Sequence, residues 1–190
     1  MSDQVLLNQI KNNPSAFAEI FDLYYKPIFG YVFRRIGDFE ETADITSDTF
    51  YKALININHF EYRGIPIKVW LYRIASNEIN LFFRNQRKHR SIMDEVSFEN
   101  KEIFKNYYHQ DKEEIEAELQ NHQVFLSVLN GLKMISPKYQ EVISLRYFEG
   151  KSNKEIIEIL NLKEGTLKSL LSRGLEKLRQ KCNENNLSEL

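Results

Sequence analysis

The stretch that decides the fold is VWLYRIASNEINLFFRNQRKHR, which runs from Val69 to Arg90. No glycine or proline interrupts it, and its apolar residues recur at three- and four-residue steps, as on a helix. They form one stripe, which consists of Leu71, Ile74, Ala75, Ile79 and Phe82. The pattern predicts a long amphipathic helix with this stripe in a protein core.

A second face of the same helix is polar. Its members also recur at helical spacing, and they are Arg73, Asn77, Asn80, Arg84 and Arg87. Arginine binds phosphates and guanine edges, and asparagine matches the paired donor and acceptor of an adenine edge. The face is therefore suited to nucleic acid, although the same residues also fit an ordinary solvated helix face.

The composition excludes several classes of protein. With 190 residues, 42% of them hydrophobic, the chain can form one ordinary domain or two small ones. Its single cysteine, Cys182, excludes an internal disulfide framework, and its 4 histidines are too scattered for a metal site. The start lacks the pattern of a signal peptide, and no run approaches the roughly 18 apolar residues of a membrane span. We therefore expect a soluble cytoplasmic protein that needs no cofactor.

The charges are unevenly distributed along the chain, although the net charge is only −1. Residues 60–90 hold 7 basic and 2 acidic side chains, and residues 131–182 hold 11 and 6. Between them, residues 91–122 hold 3 basic and 9 acidic side chains. Two positive patches separated by an acidic segment are suited to two separate contacts with a phosphate backbone.

Helical periodicity throughout, with only 7 Gly and 4 Pro, predicts an all-α protein. We expect two helical domains, residues 1–90 and 114–190, joined by an acidic linker over residues 91–113. The expected helices cover about 14–35, 40–54, 69–90, 136–148, 152–160 and 163–181, with a weak helix from about 114. A loop is expected over 56–68, which contains Gly64 and Pro66.

Two of these helices have faces that can be assigned from spacing. The first is expected to bury Leu23 among other apolar residues, and the second to bury Ala43, Phe50, Ala53 and Leu54. The second helix then exposes a polar stripe, which consists of Glu41, Asp44, Asp48 and Lys52. Because DNA repels carboxylates, this stripe is unsuited to a DNA contact, and ordinary solubilising charge would also explain it.

The C-terminal part shows a helix-turn-helix pattern. Ser152 and Glu155 form a capping box for a short helix, and Asn161 and Leu162 make the turn to the next helix. That next helix is expected to bury Leu167, Leu171, Leu175 and Leu178. Its outward residues near the start are Thr166, Lys168, Ser169, Leu170, Ser172 and Arg173, in the place where a recognition helix reads a major groove. A plain three-helix packing unit is the alternative.

Three motifs in this order are similar to a known family. They are TADITSDTF (Thr42 to Phe50), WLYRIASN (Trp70 to Asn77) and GTLKS (Gly165 to Ser169). Residues from about Phe17 to Arg90 resemble region 2 of the sigma-70 transcription initiation factors, and residues from about Leu129 to Arg179 resemble region 4. The short interval from Ser91 to Asn121 leaves no room for a region 3 domain, which points to the compact extracytoplasmic-function (ECF) subgroup.

The resemblance implies a transcription initiation factor that binds RNA polymerase core, recognises −10 and −35 promoter elements and helps to melt the −10 element. It implies that Glu41, Asp44, Asp48 and Lys52 contact the β′ clamp helices, and that region 4 contacts the β flap. An anti-sigma factor is a further expected partner. The acidic linker either passes through the RNA exit path or is a plain tether.

The same resemblance assigns DNA contacts. In the −10 region, the loop captures a flipped base and the helix holds the backbone, through Phe60, Tyr62, Arg63, Arg73, Asn77, Asn80, Arg84, Arg87 and Lys88. In the −35 region, the contacts come from Thr166, Lys168, Ser169, Leu170 and Arg173. Leu170 stands where many relatives carry arginine, so an apolar contact with a thymine methyl replaces a polar one. For Trp70 we expect core packing, and Arg73 alternatively pairs with a carboxylate.

Other functions remain as alternatives. A stand-alone helix-turn-helix regulator would bind duplex DNA without polymerase. An enzyme is the least expected class, because the sequence contains no glycine-rich phosphate loop, metal-ligand cluster or recognisable nucleophile with a base.

Overall fold

The computed structural model describes residues 3–60, 64–90 and 123–188. These residues form α-helices and short helical turns without any strand, which confirms the all-α prediction. The helices are α1 (Asp3–Asn12), α2 (Phe17–Ile36), α3 (Phe39–Asn56), α4 (Ile67–Arg90), α5 (Gln123–Met134), α6 (Pro137–Ile143), α7 (Asn153–Leu160) and α8 (Glu164–Ser188). The expected linker, and the weak helix from about residue 114 as far as residue 122, lie outside the described residues.

Helix α1 is missing from the sequence-based expectation, which began the first helix at Pro14. It is short, and it buries one side that consists of Leu6, Leu7 and Ile10. The carboxylate of Asp3 accepts a hydrogen bond of 2.8 Å from the backbone N–H of Ile67, the first residue of α4. Helix α1 therefore helps to fix where α4 begins, because it satisfies a donor that the helix itself leaves unpaired.

Helices α2, α3 and α4 pack against one another and enclose the N-terminal core. Gly37 ends α2 with a φ of +78°, and Asp38 caps α3 by accepting a hydrogen bond from the N–H of Glu41. The expected stripe of α4 is confirmed, with Leu71, Ala75 and Ile79 buried and with Ile74 and Phe82 half-buried.

Three leucines that were expected inside are exposed, namely Leu23, Leu54 and Leu175. The case of Leu54 has a clear physical reason. Helix α3 buries a face that includes the threonines Thr42, Thr46 and Thr49, and this rotates Leu54 toward solvent. A threonine that hydrogen-bonds within its own helix is cheap to bury, and the hydroxyl of Thr49 donates to the carbonyl of Ile45 at 2.7 Å.

The C-terminal helices form the expected helix-turn-helix. The capping box of Ser152 and Glu155 is present, and Asn161 ends α7 in the left-handed conformation, with a φ of +51°. The helix that was expected to run to Phe148 instead ends at Ile143 and continues as a π-helical turn, Ser144–Phe148. Helix α8 packs against α5 and α6.

The N-terminal and C-terminal helices also touch each other. Helix α4 packs against α7, and α2 packs against α6 and the π-helical turn. The buried residues of both parts form one continuous hydrophobic cluster. The protein therefore places the polar face of α4 beside the helix-turn-helix.

Candidate nucleic-acid interface

The polar face of α4 borders a cleft. Asn77, Asn80 and Arg84 are exposed and Arg73 is half-buried, so the predicted face exists. Arg73, Asn77 and Asn80 line a cleft of about 180 Å³, which the C-terminal helices close on its other side. Arg87 and Lys88 lie on the last turns of α4, and their side chains are outside the described part of the structure.

The segment before α4 is only partly described. Phe60 is half-buried, and its ring centre lies 4.6 Å from that of the half-buried Trp70. Trp70 packs against the hydrophobic core, as its expected role required. Tyr62 and Arg63, the other predicted contacts of this segment, lie outside the described residues.

The start of α8 presents most of its predicted contacts to solvent. Thr166, Lys168 and Arg173 are exposed, and the ammonium of Lys168 forms an ion pair of 2.7 Å with Glu164 one turn earlier. Ser169 is half-buried. The expectation that Leu170 faces outward is wrong, because Leu170 is half-buried, packs against the core and borders the same cleft as α4.

The acidic side of α3 faces solvent, with Glu41, Asp44 and Asp48 all exposed. Partial burial, and then the nearby carboxylates of Asp38, Asp44 and Glu40, raise the pKa of Glu41. When neighbouring carboxylates disfavour the ionised form of a carboxyl group, a cationic partner that binds beside it stabilises that form.

Lys52, the cation of this stripe, also has a partner within the protein. Its ammonium forms an ion pair of 2.5 Å with Glu78 of α4, so it joins two helices. The stripe continues through two exposed apolar residues that sequence reasoning missed, Tyr51 and Ile55. The sequence signal for them was their position three and seven residues after Asp48, which places all three side chains on the same face of the helix.

A buried set of charges joins the two parts of the chain, and sequence reasoning missed it. Glu149 forms an ion pair with Arg34 and accepts a hydrogen bond of 2.6 Å from the hydroxyl of Tyr72. Burial and the carboxylate of Glu149 raise the pKa of Tyr72, so this hydroxyl keeps its proton and acts as a donor.

A second buried carboxylate, that of Glu141, lies 3.6 Å from the guanidinium of Arg35 and accepts a hydrogen bond of 3.2 Å from the side-chain amide of Asn80. Burial raises the pKa of Glu141, and Arg35 and Asn80 oppose that rise. The partners in both clusters are more than sixty positions apart in sequence, so spacing gives no signal for them.

In the described residues, no helix is long and apolar enough to cross a membrane, and no group of three or more His, Cys, Asp or Glu side chains is arranged to hold a metal ion. An Arg/Asn helix face, a helix-turn-helix and a separate acidic stripe are together typical of a helical DNA-binding protein.

The comparisons with known proteins agree on one family. Residues 20–89 match the family model of sigma-70 region 2, and residues 125–178 match that of sigma-70 region 4. The chain is similar to the ECF RNA polymerase sigma factor SigW of Bacillus subtilis, with 30% identity over 179 residues that cover 92% of each chain. Similarity to the ECF sigma factor BldN of Streptomyces coelicolor is 26% over 163 residues, and the match spans 86% of this chain but 59% of that relative.

Two solved structures share the fold. One is the sigma factor RpoE in complex with the anti-sigma factor NepR from Bartonella quintana, with a TM-score of 0.68, 23% identity and coverage of 88% of this chain and 96% of that one. The other is CnrH in complex with the cytosolic domain of CnrY, with a TM-score of 0.66, 21% identity and coverage of 96% and 97%.

The chain belongs to the ECF subgroup of the sigma-70 family, and it is a transcription initiation factor that directs RNA polymerase to promoters. The alternative of a stand-alone regulator is not favoured, because both sigma regions match in the expected order.

Proposed function

We propose a division of labour among three surfaces of this sigma factor. The acidic stripe of α3 binds polymerase core, the polar face of α4 binds the −10 element, and the start of α8 reads the −35 element. The observation that supports this proposal is the separation of charge. The exposed carboxylates Glu41, Asp44 and Asp48 lie on one helix, and the exposed Arg84 and Arg173 lie on two others.

At the −10 element, Asn77 and Asn80 offer side-chain amides to base edges, and Arg84, Arg87 and Lys88 hold the phosphates. Unstacking a base costs a few kcal/mol, and capture of the extruded base offsets part of that cost. The segment that includes Phe60, Tyr62 and Arg63 lies immediately before α4 in the chain, where such a base would be held.

At the −35 element, Thr166 and Lys168 bind phosphates, while Ser169 and Arg173 reach base edges in the major groove. The half-buried Leu170 offers its remaining exposed surface to a thymine methyl. Contacts with the DNA phosphate backbone do not depend on the base sequence. Ser169, Leu170 and Arg173, which reach the bases, therefore determine promoter specificity.

The partners follow from these surfaces. The cationic partner of the α3 stripe is the pair of β′ clamp helices, with Tyr51 and Ile55 as apolar contacts beside the carboxylates, and region 4 binds the β flap. An anti-sigma factor that covers these surfaces is a further partner, since the sigma factor RpoE, which shares this fold, is in complex with the anti-sigma factor NepR. The protein acts by binding, without enzymatic turnover, in the cytoplasm where polymerase and promoters meet.

The first experiment measures binding of purified RNA polymerase core to the full chain and to the Asp44→Lys/Asp48→Lys variant. We expect the variant to lose at least about tenfold in affinity, which corresponds to about 1.4 kcal/mol, because two attractive charges become repulsive. The matched control is Glu19→Lys/Asp22→Lys, which reverses two exposed carboxylates on α2 and should bind core as the wild type does.

A second variant separates the two functions. Arg173→Ala should retain core binding and lose promoter-specific transcription, because it alters only the −35 contact. Equal loss of core binding in the α3 variant and in the α2 control would contradict the assignment of the stripe.

A further inference from the structure

Helix α1 contacts the chain on both sides of the segment that follows Phe60. Before this segment, α1 packs against the short helical turn Ile57–His59, which ends at Phe60. After it, the carboxylate of Asp3 accepts a hydrogen bond of 2.8 Å from the backbone N–H of Ile67, the first residue of α4. One short helix therefore holds the chain at two points, one on each side of a segment that is proposed to bind the −10 element.

Helix α1 has a fixed position of its own. It buries one side in the hydrophobic core, and that side consists of Leu6, Leu7 and Ile10. At its other end, the side chain of Asn13 accepts a hydrogen bond of 3.1 Å from the N–H of Ser15 and caps the short turn into α2. Because α1 cannot rotate without exposing its apolar side, the carboxylate of Asp3 stays beside the start of α4.

The hydrogen bond to Asp3 satisfies a donor in the core. Ile67 is fully buried and Val69 is 2% exposed, so the first turn of α4 lies inside the protein. A helix leaves its first four N–H groups without a partner of its own, and a buried N–H without an acceptor costs free energy. Asp3 supplies the acceptor, and its negative charge is also favourable at the positive end of the helix dipole. Without it, the first turn of α4 should fray.

The first turn of α4 also supports Phe60. It carries Trp70, whose ring centre lies 4.6 Å from that of Phe60 with an angle of 35° between the ring planes. Arg73 and Asn77 of the polar face follow Trp70 along the same helix. A shift of the first turn therefore changes where Phe60 lies relative to the polar face of α4, whereas the acidic stripe of α3 and the start of α8 are on other helices.

We propose that Asp3 is a positioning residue for recognition of the −10 element. Its carboxylate fixes the start of α4, and α1 fixes the turn before Phe60, so Phe60 and the polar face of α4 keep one arrangement before DNA binds. Contacts that are already ordered bind more tightly than contacts that must first be ordered. This inference rests on the proposed −10 role of Phe60 and α4.

The test uses variants of the full chain in complex with RNA polymerase core. Asp3→Ala removes the acceptor and its charge, whereas Asp3→Asn keeps a side-chain oxygen that accepts the hydrogen bond. The matched control is Asp22→Ala, which removes the same kind of carboxylate from an exposed position of α2. Circular dichroism and the affinity for core show whether each variant is otherwise intact.

Permanganate reactivity of unpaired thymines measures opening of the −10 element, on a duplex promoter that the wild-type complex transcribes. We expect Asp3→Ala to bind core as the wild type does and to lose about tenfold in the equilibrium constant of opening, a factor typical of one lost hydrogen bond to a charged group. Asp3→Asn should retain most of the opening, and Asp22→Ala all of it.

Three results would overturn the positioning role. The first is normal opening with Asp3→Ala. The second is a loss of core affinity as large as the loss of opening, because that indicates a general loss of structure. The third is a defect in Asp3→Asn as large as that in Asp3→Ala, because that assigns the effect to charge alone and not to the hydrogen bond.

Arg84→Ala separates a failure of this inference from a failure of the proposed function. Arg84 is exposed on the polar face of α4. If Arg84→Ala impairs opening and Asp3→Ala does not, only the positioning role is wrong. If neither variant impairs opening while Arg173→Ala still abolishes promoter-specific transcription, the −10 role of α4 is wrong, and the positioning role is overturned with it.

Discussion

At the scale of single residues, partners decide what each charge can do. Lys52 is a predicted polymerase contact, and its ammonium also forms an ion pair with Glu78 that joins α3 and α4. Gly30 shows the same dependence, because a Cβ there would lie 3.3 Å from both terminal nitrogens of Arg34. The absence of a side chain at Gly30 leaves room for the arginine that binds Glu149.

Glu41 gives a prediction about pH. Its pKa is raised by partial burial and by neighbouring carboxylates, so it loses its charge at a higher pH than an ordinary glutamate. Because a cationic partner prefers the ionised form, affinity for polymerase core should fall as the pH drops from 7 toward about 5. The measurement is a series of core-binding titrations over that range.

The Glu41→Gln variant is the control for that series. It should bind more weakly at pH 7 and show a shallower pH dependence than the wild type. Ionisation of Glu41 affects stability in the opposite direction from core binding. A raised carboxyl pKa means that ionisation disfavours the folded state, so Glu41→Gln should not have a lower Tm than the wild type. Parallel pH curves for wild type and variant would rule out Glu41 as the titrating group.

At the scale of elements, capping residues locate the ends of a helix more precisely than the spacing of its apolar residues does. The hydroxyl of Ser152 accepts a hydrogen bond of 3.2 Å from the N–H of Glu155, and the Glu155 carboxylate accepts one of 2.9 Å from the N–H of Ser152. Burial opposes ionisation of Glu155, but the hydrogen bonds from Ser152 and Lys68 lower its pKa overall. The start of α7, and with it the orientation of the helix-turn-helix, depends on this box.

The capping box therefore leads to a prediction about the stability of a Ser152 variant. Ser152→Ala should lower the free energy of unfolding by about 1 kcal/mol, because the first turn of α7 loses its cap. Urea denaturation of the full chain measures the change. Ser172→Ala, at an exposed position within α8, should change the free energy of unfolding by much less. An equal loss in the two variants would mean that the capping hydrogen bonds of Ser152 do not stabilise the protein.

At the scale of the whole molecule, the two parts of the chain share one continuous core. We therefore expect a single calorimetric unfolding transition for the free wild-type protein, because unfolding of one part would expose buried contacts of the other. Glu149→Arg should separate this into two transitions, because it opens the junction and leaves two smaller cores. Two transitions in the wild type would show that the parts unfold independently.

The sequence by itself determined the elements and the family. Apolar spacing located the buried stripe of α4, the Ser152 box located α7, and the motifs from Thr42 to Asn77 and from Gly165 to Ser169 identified the class of protein. These features are local, because periodicity and capping depend on residues within about one turn of each other. The domain boundaries at 90/91 and 113/114, and the roles of individual contact residues, stay predictions.

Only the tertiary structure decided which faces are available. It placed Leu54 outside, brought Leu170 into the cleft, and set Glu149 and Glu141 against α2 and α4. The reason is that burial and ion pairing depend on residues far apart in the chain, and sequence spacing carries no information about such pairs. Which side chains of the polar face of α4 are exposed is therefore a property of the folded molecule alone.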